Sequence, residues 1–316
     1  MAFPKFSLKK KENKNFLLIE IGLEVVNMAK LSVDPEPIIE ETSRKKFSAL
    51  EDMFNASIEA IDELAGKVTD IPKKAILGVS GGPIRTETTV AQYTRPDPNE
   101  AISGEEVEKV LEEVSAKEES GELKLFFSTI ASAKIDGTKV LNPIGIKGEK
   151  ADLSCFIAYK HPEELAVFDK LVDEIDMELE KIIPTSFAVA KLMLKKGNEN
   201  ALLFRLGSNR SEVAHLLGGH INRIVQFDLG VSNPELLLEG FELVVEEAVR
   251  EEKPELIWLY PDSSEVDMTD IKDKLLHLPW KDFGFHKDPR ISFDKVSDVD
   301  AAEDTGLLAL SLEITS

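Results

Sequence analysis

Two short segments of this chain set charged and small polar residues directly after apolar runs. Leu17-Leu18-Ile19-Glu20-Ile21-Gly22 leads through Leu23-Glu24 into Val25-Val26-Asn27-Met28-Ala29, and Leu202-Leu203-Phe204-Arg205-Leu206-Gly207 leads through Ser208-Asn209-Arg210-Ser211 into Glu212-Val213-Ala214-His215-Leu216-Leu217. Each reads as a strand, a glycine turn and a second strand, and the repetition marks two related half-domains that each open on a hairpin. A third glycine-containing stretch, Gly78-Val79-Ser80-Gly81-Gly82, has the look of a phosphate cradle but no following Lys-Ser/Thr. It is read as the turn that ends a strand. His215 and His220 flank Gly218-Gly219 with no third ligand in view, so no metal site is expected there. Serine, histidine and aspartate occur without a nucleophile elbow, and no catalytic residue is assigned.

The elements that would carry these residues follow from periodicity. Phe47, Leu50, Phe54, Ile58, Ile61 and Leu64 recur at helical spacing and Gly66 closes the run. Ala75 to Val79 reads as a strand and Thr86 to Tyr93 alternates as another. Ser103 and Glu106 form a capping box, and Val107, Val110, Leu111 and Val114 line the inner face of the helix that follows. Extended runs cover Leu123 to Ile135, Val140 to Ile146 after the Asp136-Gly137 turn, and Leu153 to Tyr159. Pro162 suits the first turn of a helix carrying Leu165, Phe168, Val172 and Ile175. A strand to Ile183, a helix from Thr185 to Leu194, a helix from Pro234 to about Glu252 and a buried strand Leu256 to Tyr260 complete an α/β pattern with mixed sheets.

With 316 residues the chain can bury a sizeable core, as two lobes or as a domain with an insertion. Its 59 carboxylates against 38 Lys and Arg give a net charge of −21, a field that repels nucleic-acid backbones and does nothing to attract a nucleotide. The lone Cys155 and the lack of a signal-peptide pattern point to a reducing cytoplasm. Phe3-Pro4-Lys5-Phe6-Ser7-Leu8-Lys9-Lys10-Lys11-Glu12-Asn13-Lys14 is basic in an acidic chain. It reads as an unstructured terminus, or as a segment that touches an anionic membrane surface, where each lysine contributes about 1 kcal/mol.

The twin hairpins resemble those of the actin/Hsp70/sugar-kinase superfamily, in which they face each other across a cleft and grip ATP phosphates from opposite sides. Ala75 to Arg85 is similar to the start of the SHS2 module inserted into the bacterial division protein FtsA. Ile102-Ser103-Gly104-Glu105-Glu106-Val107 to Leu111 is similar to a helix entrance of that family, and Asp300 to Leu310 to its closing helix. The resemblance implies an actin-like, ribonuclease H-like two-lobed fold with an SHS2-type insertion and a reduced fourth subdomain. It divides the chain into a basic tail (1–15), the early first lobe (16–74), the insertion (75–160), the first-lobe return (161–200) and the second lobe (201–316). FtsA reaches the membrane through a C-terminal amphipathic helix, which has no counterpart before Ile314-Thr315-Ser316.

By the same resemblance, nucleotide would meet Glu20 and Gly22 in the first hairpin and Gly207, Ser208, Asn209, Arg210, Ser211 and Glu212 in the second. The family pattern is altered at both. Leu23 and Glu24 stand where the family has hydroxyls, Arg205 where it has an aspartate, and Ser208 and Asn209 where it has glycines. Glu24 either faces solvent or faces the γ-phosphate, where like charges about 4 Å apart cost about 4 kcal/mol at an effective dielectric of 20. Arg205 or Arg210 could neutralise a phosphate directly. Pro261-Asp262-Ser263-Ser264 lacks the glycines of the adenosine turn.

The implied function is a non-catalytic or weakly nucleotide-binding scaffold for a cell-division or envelope-associated assembly. Its partners are proteins, its location is the cytoplasm or the inner face of the cell membrane, and no cofactor is expected. A platform protein of type IV pili, of the PilM kind, and an ATP- and Mg-binding ATPase with altered motifs are the alternatives.

Overall fold

The computed structural model describes residues 15–33, 36–81, 84–118, 122–140, 142–251, 253–262, 266–285, 287–293 and 305–313. The basic segment 3–14, Ser263-Ser264, the stretch 300–304 and residues 314–316 lie outside them.

The chain opens with strands β1 (Asn15–Ile21) and β2 (Val25–Val33), antiparallel with Glu20 opposite Asn27. Strand β3 (Pro37–Lys46) pairs with β2, and helix α1 (Leu50–Ala65) leads to β4 (Lys74–Val79), which runs parallel to β1. The chain then leaves this sheet. Strand β5 (Arg85–Thr94), helix α2 (Gly104–Glu118) and strands β6 (Lys124–Ile135), β7 (Thr138–Val140) and β8 (Lys150–Lys160) form a separate four-stranded sheet ordered β5-β8-β6-β7 with its own apolar core. Helix α3 (Pro162–Glu174) and strand β9 (Glu178–Pro184) return the chain to the first sheet, whose order is β3-β2-β1-β4-β9.

Helix α4 (Thr185–Lys195) leads to the second lobe. There β10 (Ala201–Leu206), β11 (Ser211–Leu217), β12 (His220–Phe227), helix α5 (Pro234–Glu251), β13 (Leu256–Pro261), helix α6 (Thr269–Leu276) and β14 (Arg290–Ser292) repeat the plan as β12-β11-β10-β13-β14. Helix α7 (Thr305–Leu312) closes the described chain and packs on α4. One apolar core joins the lobes through Leu18, Phe187, Leu203 and Leu307, while Met53 and Leu77 sit in a first-lobe core and Phe241 and Trp280 in a second-lobe core.

Several expectations change. Ala75–Val79 is not the opening of the inserted module but β4, a buried inner strand of the first sheet. That position suits its near-continuous apolar run. The expected strand from Val140 to Ile146 shrinks to β7 plus a single bridge from Ala101 to Lys147, because Asn142-Pro143 and Gly145 break the ladder. Strand β3 carries Glu40, Glu41, Arg44, Lys45 and Lys46 on a partly exposed edge, so it offers little apolar alternation to read. Half of the capping box forms. The Glu106 amide donates to Ser103 Oγ at 3.1 Å, but the Glu106 carboxylate accepts from Arg95 and Tyr93 instead of turning back.

Candidate functional site

The two hairpins make the same turn. Gly22 N–H donates to the Val25 carbonyl at 2.7 Å, and Gly207 N–H donates to the Arg210 carbonyl at 2.8 Å. In each lobe the residue just past the parallel strand is tied to the hairpin strand. Ser80 N–H donates to the Ile21 carbonyl at 2.8 Å and Asp262 N–H to the Leu206 carbonyl at 2.7 Å. Glu20 and Arg205 therefore occupy matching positions, as do Ser80 and Asp262, and Asn27 and Glu212, which lie opposite Glu20 and Arg205 in their ladders. A repeated backbone brings six polar side chains toward one place.

These side chains bond across the lobes. Arg205 Nη2 lies 2.7 Å from Glu20 Oε1, its Nε lies 2.7 Å from Asp262 Oδ1, and its Nη1 donates to Ser80 Oγ at 2.7 Å. Side-chain exposure is 3% for Arg205, 0% for Glu20 and 1% for Asp262. The second Glu20 oxygen accepts from Asn27 Nδ2 at 2.9 Å, and Asn27 Oδ1 accepts from Arg44 Nε at 2.7 Å. Burial disfavours the Arg205 charge, but Asp262 and Glu20 outweigh it and hold the guanidinium above its ordinary range. Burial also pushes the Glu212 carboxyl up from its ordinary value, against the pull of its Ser186 hydrogen bond and of Arg205. Tyr260, opposite Arg205 in the sheet and stacked on Trp258 at 4.4 Å, is raised by the same burial.

Both glycine turns receive a carboxylate from the opposite lobe. Asp262 Oδ1 accepts from Leu23 N–H at 3.1 Å and Oδ2 from Glu24 N–H at 2.9 Å. In return, Glu24 Oε2 accepts from Ser208 N–H at 2.8 Å, and its Oε1 accepts from Asn209 N–H and Asn209 Nδ2, each at 2.9 Å. A pair of adjacent backbone N–H groups in a tight turn is an anion-binding concavity, and here each is satisfied by a side chain of this chain. Gly22 is required by the closeness of the contact, since a Cβ there would lie 2.8 Å from Asp262 Oδ1 and 3.0 Å from Arg205 Nη2. Gly230 plays the same part behind the second turn, where a Cβ would come within 2.4 Å of the Ser208 carbonyl carbon.

Of the residues singled out in the sequence, Glu20, Gly22, Gly207, Ser208, Asn209 and Glu212 converge on this interlobe network, together with Glu24 and Arg205. Ser211 is buried at the start of β11 opposite Leu206. Arg210 points away and pairs with Asp228 at 3.4 Å, 44% exposed. Of the solvent and cleft alternatives for Glu24, the structure has the cleft. Gly78, from the cradle-like stretch, lies inside β4 and makes room for Leu310 and Thr185. Asp262, Ser80, Asn27 and Arg44 belong to the network and were missed. The available signal for Asp262 was an acid directly after a buried strand, but only the pairing of β13 with β10 sets it beside Arg205. Among the described residues no group of histidine, cysteine and carboxylate side chains is arranged to hold a metal ion, and no helix is long and apolar enough to cross a membrane.

No family model and no curated protein matches the chain. Among solved structures it is similar to the PilM-PilN type IV pilus biogenesis complex, with a TM-score of 0.61 at 12% identity, covering 95% of this chain and 98% of that one. It is also similar to a Bacteroides thetaiotaomicron protein with actin-like ATPase fold and unknown function, at TM-score 0.48 and 8% identity over 98% and 99% of the two chains. A third is the inorganic polyphosphate/ATP-glucomannokinase of Arthrobacter sp. strain KM, at TM-score 0.46 and 13% identity over 96% and 99%. Two sheets of matching strand order, joined by one core and opening on facing glycine hairpins, give this chain the actin-like ATPase fold.

Proposed function

We propose that this protein is a non-catalytic, actin-like scaffold of an envelope-associated assembly, in which the former nucleotide cleft serves as a structural clasp between the lobes. The observation that carries the reading is the reciprocal exchange of carboxylates. Asp262 fills the N–H pair of the first hairpin and Glu24 that of the second. A triphosphate would need those same N–H groups. It would also meet the charge of Glu24, and like charges about 4 Å apart repel by about 4 kcal/mol at an effective dielectric of 20. Glu20, the acid retained in the first hairpin of the family pattern, is committed to Arg205 and Asn27. The residues present do not fit ATP and magnesium.

The likeness to a pilus biogenesis complex supports a protein-binding role and favours a PilM-like platform over a division adaptor. On this reading, residues 85–160 correspond to an SHS2-type insertion, as in FtsA. The short link from β12 to α5, followed directly by β13, corresponds to a reduced fourth subdomain. The first lobe comprises 16–79 and 161–200, the second lobe runs from 201, and the working location is the cytoplasmic face of the inner membrane.

Isothermal calorimetry with Mg-ATP tests the clasp. A flat trace at millimolar nucleotide is expected, and heat consistent with micromolar binding would falsify the reading in favour of an ATPase with altered motifs.

A further inference from the structure

Strand β5 is an edge strand. Among the described residues its only strand partner is β8. Its first half is covered by the second lobe, where Thr86 Oγ1 exchanges hydrogen bonds with Ile224 and Thr88 Oγ1 donates to the Ile221 carbonyl at 2.6 Å. Its second half, from Thr89 to Tyr93, borders a groove of about 760 Å³ whose other wall is α2. Ala91, Tyr93 and Val110 give this groove an apolar floor continuous with the core of the module. An open strand edge presents unpaired backbone donors and acceptors, which another extended segment can complete.

The walls are acidic. Arg95 and Glu106 bond to each other in bidentate fashion, at 2.8 and 3.0 Å, and neutralise one another. What remains around the groove is Asp97, Glu100, Glu105 and Glu113 against Lys109. Glu105 and Glu113 are exposed on α2. We propose that this groove binds an extended, lysine- or arginine-rich segment of a partner protein, added as a strand to the open half of β5. Its apolar side chains would sit over Tyr93 and Val110 and its cations would face the α2 carboxylates. The inference rests on the scaffold reading for the class of ligand, but calorimetry with nucleotide and titration with peptide fail independently of each other.

The test titrates a fluorescein-labelled synthetic peptide of alternating lysine and valine into the full chain at low salt, read by anisotropy. Saturable binding is expected, weakened at least tenfold in the Glu105→Lys/Glu113→Lys double variant, with an alternating glutamate and valine peptide not binding. Amide exchange on the bound chain should slow across 89–93. Absence of saturable binding, equal affinity in the charge-reversed variant, or protection confined to other strands would each overturn the assignment. At least tenfold tighter binding after removal of residues 1–14 would identify the chain's own basic segment as the occupant and reject the partner.

Discussion

Arg205 sits where the resemblance leads one to expect an acid, and its buried charge is met by Glu20 and Asp262. A buried guanidinium is tolerated only when its charge and its donors are met, which here takes Glu20, Asp262 and Ser80 together. Glu212 shares the pocket and titrates against it. Because burial raises its folded pKa above the ordinary value of 4.5, its contribution to stability is fully present below about pH 4.5 and is lost as pH rises through the folded pKa. Glu212→Gln removes that loss. The difference in urea midpoint between Glu212→Gln and the parent should therefore grow in favour of the variant from about pH 4.5 upward. A difference that stays constant with pH would mean that Glu212 is ionised with no penalty.

At the scale of elements, α7 is fitted against the cleft floor through two glycines. A Cβ at Gly306 would lie 1.9 Å from Glu20 Oε1, and one at Gly78 would lie 2.3 Å from Leu310 Cδ1. Glu20 is fixed by Arg205 and Asn27 and cannot step aside without breaking the clasp. Gly306→Ala should cost about 1 to 3 kcal/mol in urea denaturation, the usual penalty for overpacking a closed core. Gly197→Ala supplies the contrast. That residue has φ of +83° and nothing within 4 Å of its added Cβ, so its cost would be backbone strain alone, and its clasp should keep parental stability toward pH. The sequence announced β1 through its apolar run, and the resemblance of Asp300 to Leu310 to a family's closing helix announced α7. It did not announce that the first turn of one abuts the buried acid of the other.

For the whole molecule, the inserted module is tied to the second lobe as well as to the first. Thr86 and Thr88 bond across to β12, and Phe127 and Phe156 pack with Phe187 of α4, the last pair at 4.7 Å between centroids. Replacing both threonines by valine keeps their shape and removes hydrogen bonds contributing about 0.5 to 1.5 kcal/mol each. Hydrogen exchange should quicken in β5 and β12 and stay unchanged in β1 and β10. Uniform quickening would show that the module and the lobes unfold as one unit. The sequence by itself determined the duplicated hairpins and the order of most strands and helices, because periodicity and local composition are properties of short segments; how both glycine turns differ from a phosphate-binding pattern came from the family resemblance. Whether Glu24 points inward, what meets Arg205, and where β4 belongs were decided by tertiary structure. Asp262 is 238 residues from Glu24 along the chain, and a hydrogen bond over that separation is set by how two sheets face each other, which no local pattern encodes.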